Sequence, residues 1–274
     1  MQNHFEKLKK LYGNVRRSRG FYIYTEKGVR IVDMCMDGGR AVLGRRAGHT
    51  KLIFKQKLDK GLNGFFPTQA MYGLEKVCCK FFPNHSLKLF ASSEKAFDFV
   101  KKINEYEEKT GFENLLWRPF ANGQKDYLLK KKAFLCFPIF ATNVSLVFLK
   151  KSVEENSCEE ICEDDIYEIS QALVFAITRG FYEILNAGTS YTKSFSDNET
   201  LKAFEKLFNV SGIYLSPKIL DDSEYEKLFD YFLENKILIS PNKNTPSVFP
   251  NLQHYSEINK ALKKFKYENI SVST

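Results

Sequence analysis

The chain has 274 residues, 43% of them hydrophobic and 15% aromatic, enough to bury one large core or two modest ones, which excludes a disordered class. The formal net charge of +8 comes from lysines scattered among acids, as in KLKK and KALKKFK, a solvated-face pattern that argues against a nucleic-acid groove. The longest apolar run, AFLCFPIFATNVSLVFL from Ala133 to Leu149, is short for a membrane span and is broken by Pro138, Thr142 and Asn143, so no membrane partner is expected.

Along the chain, His4 to Tyr12 reads as a short basic helix ended by Gly13. Phe21–Tyr24 and Val29–Val32, separated by TEKG, predict a β-hairpin. Thr50 to Lys60 and Gln69 to Phe82 carry apolar residues at helical spacing, the second with Met71, Leu74, Val77 and Cys78 on one face and Pro83 as its stop. LKLFASSEKAFDFV, from Leu87 to Val100, reads as a strand that turns through two serines into a helix reaching Lys109. The apolar run after it predicts two buried strands joined by a turn. Ser152 to Asp165 is acidic and reads as a surface connection. Ile166 to Leu185 predicts a long helix, ended at NAGTS. The last third alternates helix (199–208), strand (211–215), helix (223–235), strand (237–240) and helix (256–265), with Asp222 or Ser223 capping one helix and Ser256 the last.

Six cysteines (Cys35, Cys78, Cys79, Cys136, Cys158, Cys162) form no regular framework, and MQNHFEKLKKLYG lacks an apolar signal core, so a reducing cytoplasm is expected. Cys158 and Cys162 would share a helix face, but no second Cys or His pair is near, and no metal site is expected. The histidines His4, His49, His85 and His254 are scattered, outside any nucleophile motif. Arg40, Arg45 and Arg46 cluster in GGRAVLGRRAG and read as surface charge rather than an anion site.

SRGFYIYTEKGVRIVDMCMDGGRAVLGRRAG resembles the entry segment of the class III aminotransferases, pyridoxal-phosphate (PLP) enzymes that include glutamate semialdehyde aminomutase. Gly20, Tyr22, Gly28, Val32-Asp33, Gly39 and Leu43-Gly44 fall in step with that pattern. KGLNGFFPTQAMYGLEKV is similar to the family's Pro-Thr segment, LKLFASSEKAFDFV to its strand followed by Ser-Gly-Thr-Glu-Ala, and LLWRPFANGQKDYLL to the segment whose aromatic residue stacks on the cofactor. The region from Gly212 to Phe265 resembles its C-terminal lobe. Matched ends from about Gly20 to Leu129 and Ile166 to Lys266 enclose a centre, roughly Lys130 to Asp165, far shorter than the family's. That centre should hold the lysine that forms the Schiff base and the aspartate that pairs with the pyridine nitrogen. Neither has a match here.

The resemblance implies a phosphate loop at Ser92, Ser93 and Glu94. Ser92 keeps the family's serine, Ser93 replaces its glycine and Glu94 its threonine. A carboxylate within about 4 Å of a phosphate repels it by roughly 1 kcal/mol in water. The direct reading is that Ser92 caps the helix and Glu94 is a favourable first-turn acid. Ala121 falls near the stacking position, where Phe120 could substitute, and Gly38 falls where the family often has tryptophan. Lys193, in GTSYTKSFS, is the one lysine in a loop reminiscent of the Schiff-base loop.

These observations predict an α/β protein, a reduced PLP fold type I with a truncated, helix-flanked large-domain sheet and a small C-terminal α/β lobe. The organisation is an N-terminal hairpin segment (1–48), a truncated large domain (49–190) and a small lobe (191–274). The function expected is an aminotransferase-like protein without transaminase activity and without PLP, binding a protein partner or a small anionic ligand. A homodimer follows from the resemblance. The alternative is a PLP enzyme with its lysine relocated to Lys193.

Overall fold

A computed structural model describes residues 2–45, 48–105, 111–139, 144–154, 169–193, 195, 198–218 and 221–265. The strands are β1 (Val15–Arg19), β2 (Tyr22–Thr25), β3 (Arg30–Asp33), β4 (His85–Phe90), β5 (Leu116–Trp117), β6 (Ala133–Cys136), β7 (Ser145–Lys150), β8 (Phe208–Ser211), β9 (Tyr214–Pro217), β10 (Ile237–Leu238) and β11 (Ser247–Val248). Two compact units form, one from Met1–Ala47 with Gly188–Thr274 and one from Gly48–Ala187.

In the first unit the predicted hairpin is β2 and β3, and Gly28 turns it with a φ of 74°, which glycine adopts without strain. Two further strands complete the sheet in the order β1-β2-β3-β10, with β10 parallel to β3. β1 went unpredicted because VRRSR is polar and mostly exposed, leaving no apolar alternation to read. The expected single strand at 211–215 is instead a hairpin of β8 and β9, to which β11 adds. Asp221, one residue before the expected cap, accepts the Glu224 N–H at 3.0 Å and opens the helix Asp222–Glu234. Ser256 does not cap the last helix, Ser256–Lys264, because it is already the first helical residue. Phe204, Phe232 and Phe249 pack with ring centroids about 6 Å apart in the core of this unit.

Two glycines of the entry segment meet in this unit. Gly20 and Arg45 exchange backbone hydrogen bonds of 3.0 and 2.7 Å, and a Cβ on Gly44 would stand 3.3 Å from Gly20. Between them Met36, Asp37, Gly38 and Gly39 all have positive φ (46°, 59°, 67° and 84°), a left-handed turn that non-glycine residues rarely adopt.

The second unit is a three-layer α/β structure. Its sheet runs β4-β7-β6-β5, with β7 antiparallel to both neighbours and β5 parallel to β6. Alternation sorts the side chains to two faces. Leu87, Leu89, Phe134, Cys136, Leu146, Phe148 and Trp117 join a core with the helices Ala70–Cys78 and Gln171–Lys193. Ala133, Leu135, Val147, Leu149 and Leu116 join the other, with Ala96 and Val100 of the helix Ser93–Asn104. Burial on both faces explains why β6 and β7 are almost wholly apolar and lack a polar alternation. The helix Gln171–Lys193 breaks at Gly188 (φ 47°, ψ −151°) and then resumes, so the lysine predicted in a loop is helical. No described helix is long and apolar enough to cross a membrane.

Candidate functional site

β4, β6 and β5 point the same way, because each of β4 and β6 is antiparallel to β7. Their C-terminal ends therefore form one rim, the place where open α/β sheets bind ligands. At this rim β4 leads through Ala91 into Ser92, whose extended backbone (φ −121°, ψ 129°) stops the strand and starts the helix Ser93–Asn104. Ser92 Oγ accepts the Lys95 N–H at 3.4 Å, as an N-cap does. Ser93 Oγ lies 2.9 Å from Oγ of the buried Ser145, the first residue of β7, so this pair ties the helix start to the next strand. Glu94 is exposed in the first turn, where a carboxylate interacts favourably with the helix dipole. Replacing Ser92 by Ala should cost about 1 kcal/mol, read as a lowered midpoint in urea unfolding.

Phe120 follows β5 on the same rim, with a φ of 73° that is uncommon for a bulky residue. Three strand spacings separate β4 from β5, about 14 Å, so Phe120 and Ser92 stand at opposite edges of the rim. Arg118, between β5 and Phe120, is 6% exposed and grips Glu113 through Nε and Nη2, both at 2.8 Å, which fixes the turn rather than presenting a cation. Ala121 accompanies Phe120 as a partly buried neighbour.

The other sequence candidates lie elsewhere. Lys193 is the exposed last residue of the helix Gln171–Lys193 and belongs to the first unit, whereas Ser92 belongs to the second. Gly38 sits in the left-handed turn. Arg45 is not an open surface charge: its Nε is 2.7 Å from Oδ2 of Asp33, which is fully buried. Arg46, Cys158 and Cys162 lie outside the described residues. Among the described residues no group of His, Cys, Asp and Glu could hold a metal ion. Burial pushes the Cys35 thiol up to about 11, far from a reactive thiolate.

Two relationships were missed from sequence, Ser93 with Ser145 and Asp33 with Arg45. The second had a signal, since Asp33 sits at the buried end of an apolar strand and a buried carboxylate needs a cation.

No family model matches the sequence. An uncharacterized protein of Treponema pallidum (strain Nichols) is 28% identical over 287 residues, spanning 90% of this chain and 92% of its own length. Another, of Borreliella burgdorferi, is 26% identical over 251 residues, spanning 86% and 84%. Among solved structures, the ornithine aminotransferase of Plasmodium yoelii superposes with a TM-score of 0.68 at 10% identity over 96% of this chain and 97% of that one. The acetylornithine aminotransferase of Elizabethkingia anophelis gives 0.64 at 12% identity, covering 95% and 97%. An omega-transaminase of Sphaerobacter thermophilus gives 0.65 at 9% identity, covering 96% and 95%. The superpositions run nearly end to end although this chain is the shorter, so the difference in length falls inside the aligned span. The chain has the fold of the class III aminotransferases.

Proposed function

We propose that this protein keeps the aminotransferase scaffold without its chemistry and acts by binding, as a cytoplasmic homodimer, rather than by transamination. The distribution of lysines in the shortened sheet carries this reading. Transamination on PLP needs a lysine amine at the rim beside the phosphate loop. Here the connection from Cys136 to Ser145, FPIFATNV, contains no lysine. Lys130, Lys131, Lys132, Lys150 and Lys151 flank the other end of β6 and β7, about 17 Å away along the strands. No residue of β4, β5, β6 or β7 is an aspartate, so the pyridine nitrogen has no such partner on this sheet.

The phosphate cradle fits equally poorly. Ser92 serves as a helix cap and Ser93 bonds Ser145, so both hydroxyls already have partners within the fold. Ser93 also adds a side chain where the resemblance has glycine, and Glu94 adds a negative charge beside the loop. The residues present do not fit PLP.

Purified protein supplied with PLP, a panel of amino acids and a panel of keto acids should form no transamination product. The same null result is expected for Lys193→Ala. Turnover that Lys193→Ala abolishes would establish the relocated-lysine enzyme and overturn the proposal.

A further inference from the structure

The second unit holds a cavity of about 650 Å³ along β4 from His85 to Lys88, within the size range of small-molecule sites. Tyr72, Lys76 and Lys80 stand four residues apart along and just past the helix Ala70–Cys78, so they form one row of its wall. His85, the first residue of β4, lines it from the sheet. Four lysines and two glutamates contribute to the wall, which leaves it positively charged. Lys88 is bound to Glu154 at 2.8 Å, and Lys151 Nζ donates to the Pro83 carbonyl at 3.2 Å. Lys80 lies 5.2 Å over the Tyr182 ring, and among the described residues Lys76 has no carboxylate partner.

His85 is 7% exposed, and neither of its ring nitrogens has a hydrogen-bond partner. Phe134 and Phe82 cover its flanks with centroids at 5.3 and 6.0 Å and offer no acceptor. Buried polar groups are nearly always satisfied, so an unsatisfied imidazole on a cavity wall points to something that enters. Burial and the Lys150 charge hold this imidazole below its ordinary pKa, so near pH 7 it is neutral, with one N–H to donate and one nitrogen to accept.

We propose that this cavity binds a small organic anion, a carboxylate or a phosphate monoester with an apolar body. Both ring nitrogens are buried, so the His85 ring turns toward the cavity for one anionic oxygen to accept its N–H, while Lys76 and Lys80 meet the charge and the apolar body lies against Tyr72 and Leu87. His85 stands about 17 Å from the rim end of β4, and neither Ser92 nor Ser93 lines the cavity.

The test titrates the full chain with benzoate and with phenyl phosphate while following the His85 ring resonances and the Ser92 and Ser93 amides by NMR. A saturable shift of the His85 ring by one of the two supports the proposal and identifies the head group. The Ser92 and Ser93 amides should stay in place, and Lys76→Ala/Lys80→Ala should weaken binding by about tenfold or more. His85→Phe, which suits the aromatic surroundings and should fold, should lose the binding heat in calorimetry. The proposal is overturned if neither probe shifts the His85 ring up to about 10 mM, if only the Ser92 and Ser93 amides respond, or if either variant binds with unchanged affinity.

Discussion

Asp33→Ala should destabilise the first unit by roughly 3–5 kcal/mol, the cost of removing one partner from a buried ion pair. Asp33 is fully buried at the end of β3 and holds two things at once. Its Oδ2 receives Arg45 Nε at 2.7 Å, and its Oδ1 accepts the Met36 N–H at 2.9 Å. The second bond pins the left-handed turn of Met36 to Gly39, in which two non-glycine residues carry positive φ. Such residues each cost on the order of 1–2 kcal/mol, so the turn persists only while its surroundings impose it. Losing Asp33 frees the turn and leaves Arg45 without its carboxylate. Asp33→Asn keeps an acceptor for Met36 and should cost less. Equilibrium urea unfolding, followed by circular dichroism, separates the two. A loss below about 1 kcal/mol for the alanine variant would show that the pair does not hold the turn.

A similar loss, about 3–5 kcal/mol, is expected for Phe82→Ala in the second unit. Phe82 is fully buried between the helix Ala70–Cys78 and β4. Its ring lies 4.7 Å from Phe148, 4.8 Å from Phe134 and 4.9 Å from Trp117, centroid to centroid. Truncation removes these contacts and leaves a cavity that three large rings on rigid strands cannot close. Trp117, the only tryptophan, is 6% exposed and reports unfolding of this unit by fluorescence. An unchanged midpoint would mean that the cluster repacks freely.

Much of this architecture is legible in the sequence where burial imposes a pattern. β6 and β7 stand out because both faces of the sheet are covered, so every position between the end residues Ser145 and Lys150 of β7, and all of β6, is apolar. Ser92 is recognisable as a cap because a polar residue there separates a strand from a 3.6-period helix. Elements held by other means escape. VRRSR forms β1 by pairing with β2, while the guanidinium of Arg17 covers the ring of Tyr24 at 4.4 Å, a contact invisible to apolar periodicity. β5 has two residues, too few for any periodicity. Lys193 reads as a loop residue because Gly188 breaks the helical pattern, yet the helix resumes beyond that one residue.

The site follows the same division. The strand, turn and helix at Ser92 are local and readable. Ser145, 52 residues beyond Ser93, becomes its partner only through the antiparallel pairing of β4 and β7. His85 looks like one scattered histidine until the fold buries it without partners on a cavity wall. The resemblance to aminotransferases identifies the scaffold, and the pairing of β6 with β7 places Lys132 and Lys150 at the end of these strands away from the rim.

The proposed loss of a Schiff-base lysine is testable without assuming any substrate. The protein is incubated with PLP and treated with borohydride, which fixes a lysine Schiff base onto the chain, and its intact mass is then measured. In the wild-type protein no single lysine should carry a stoichiometric adduct, and only trace labelling spread over exposed lysines is expected. A single stoichiometric adduct that peptide mapping places on one lysine would contradict it.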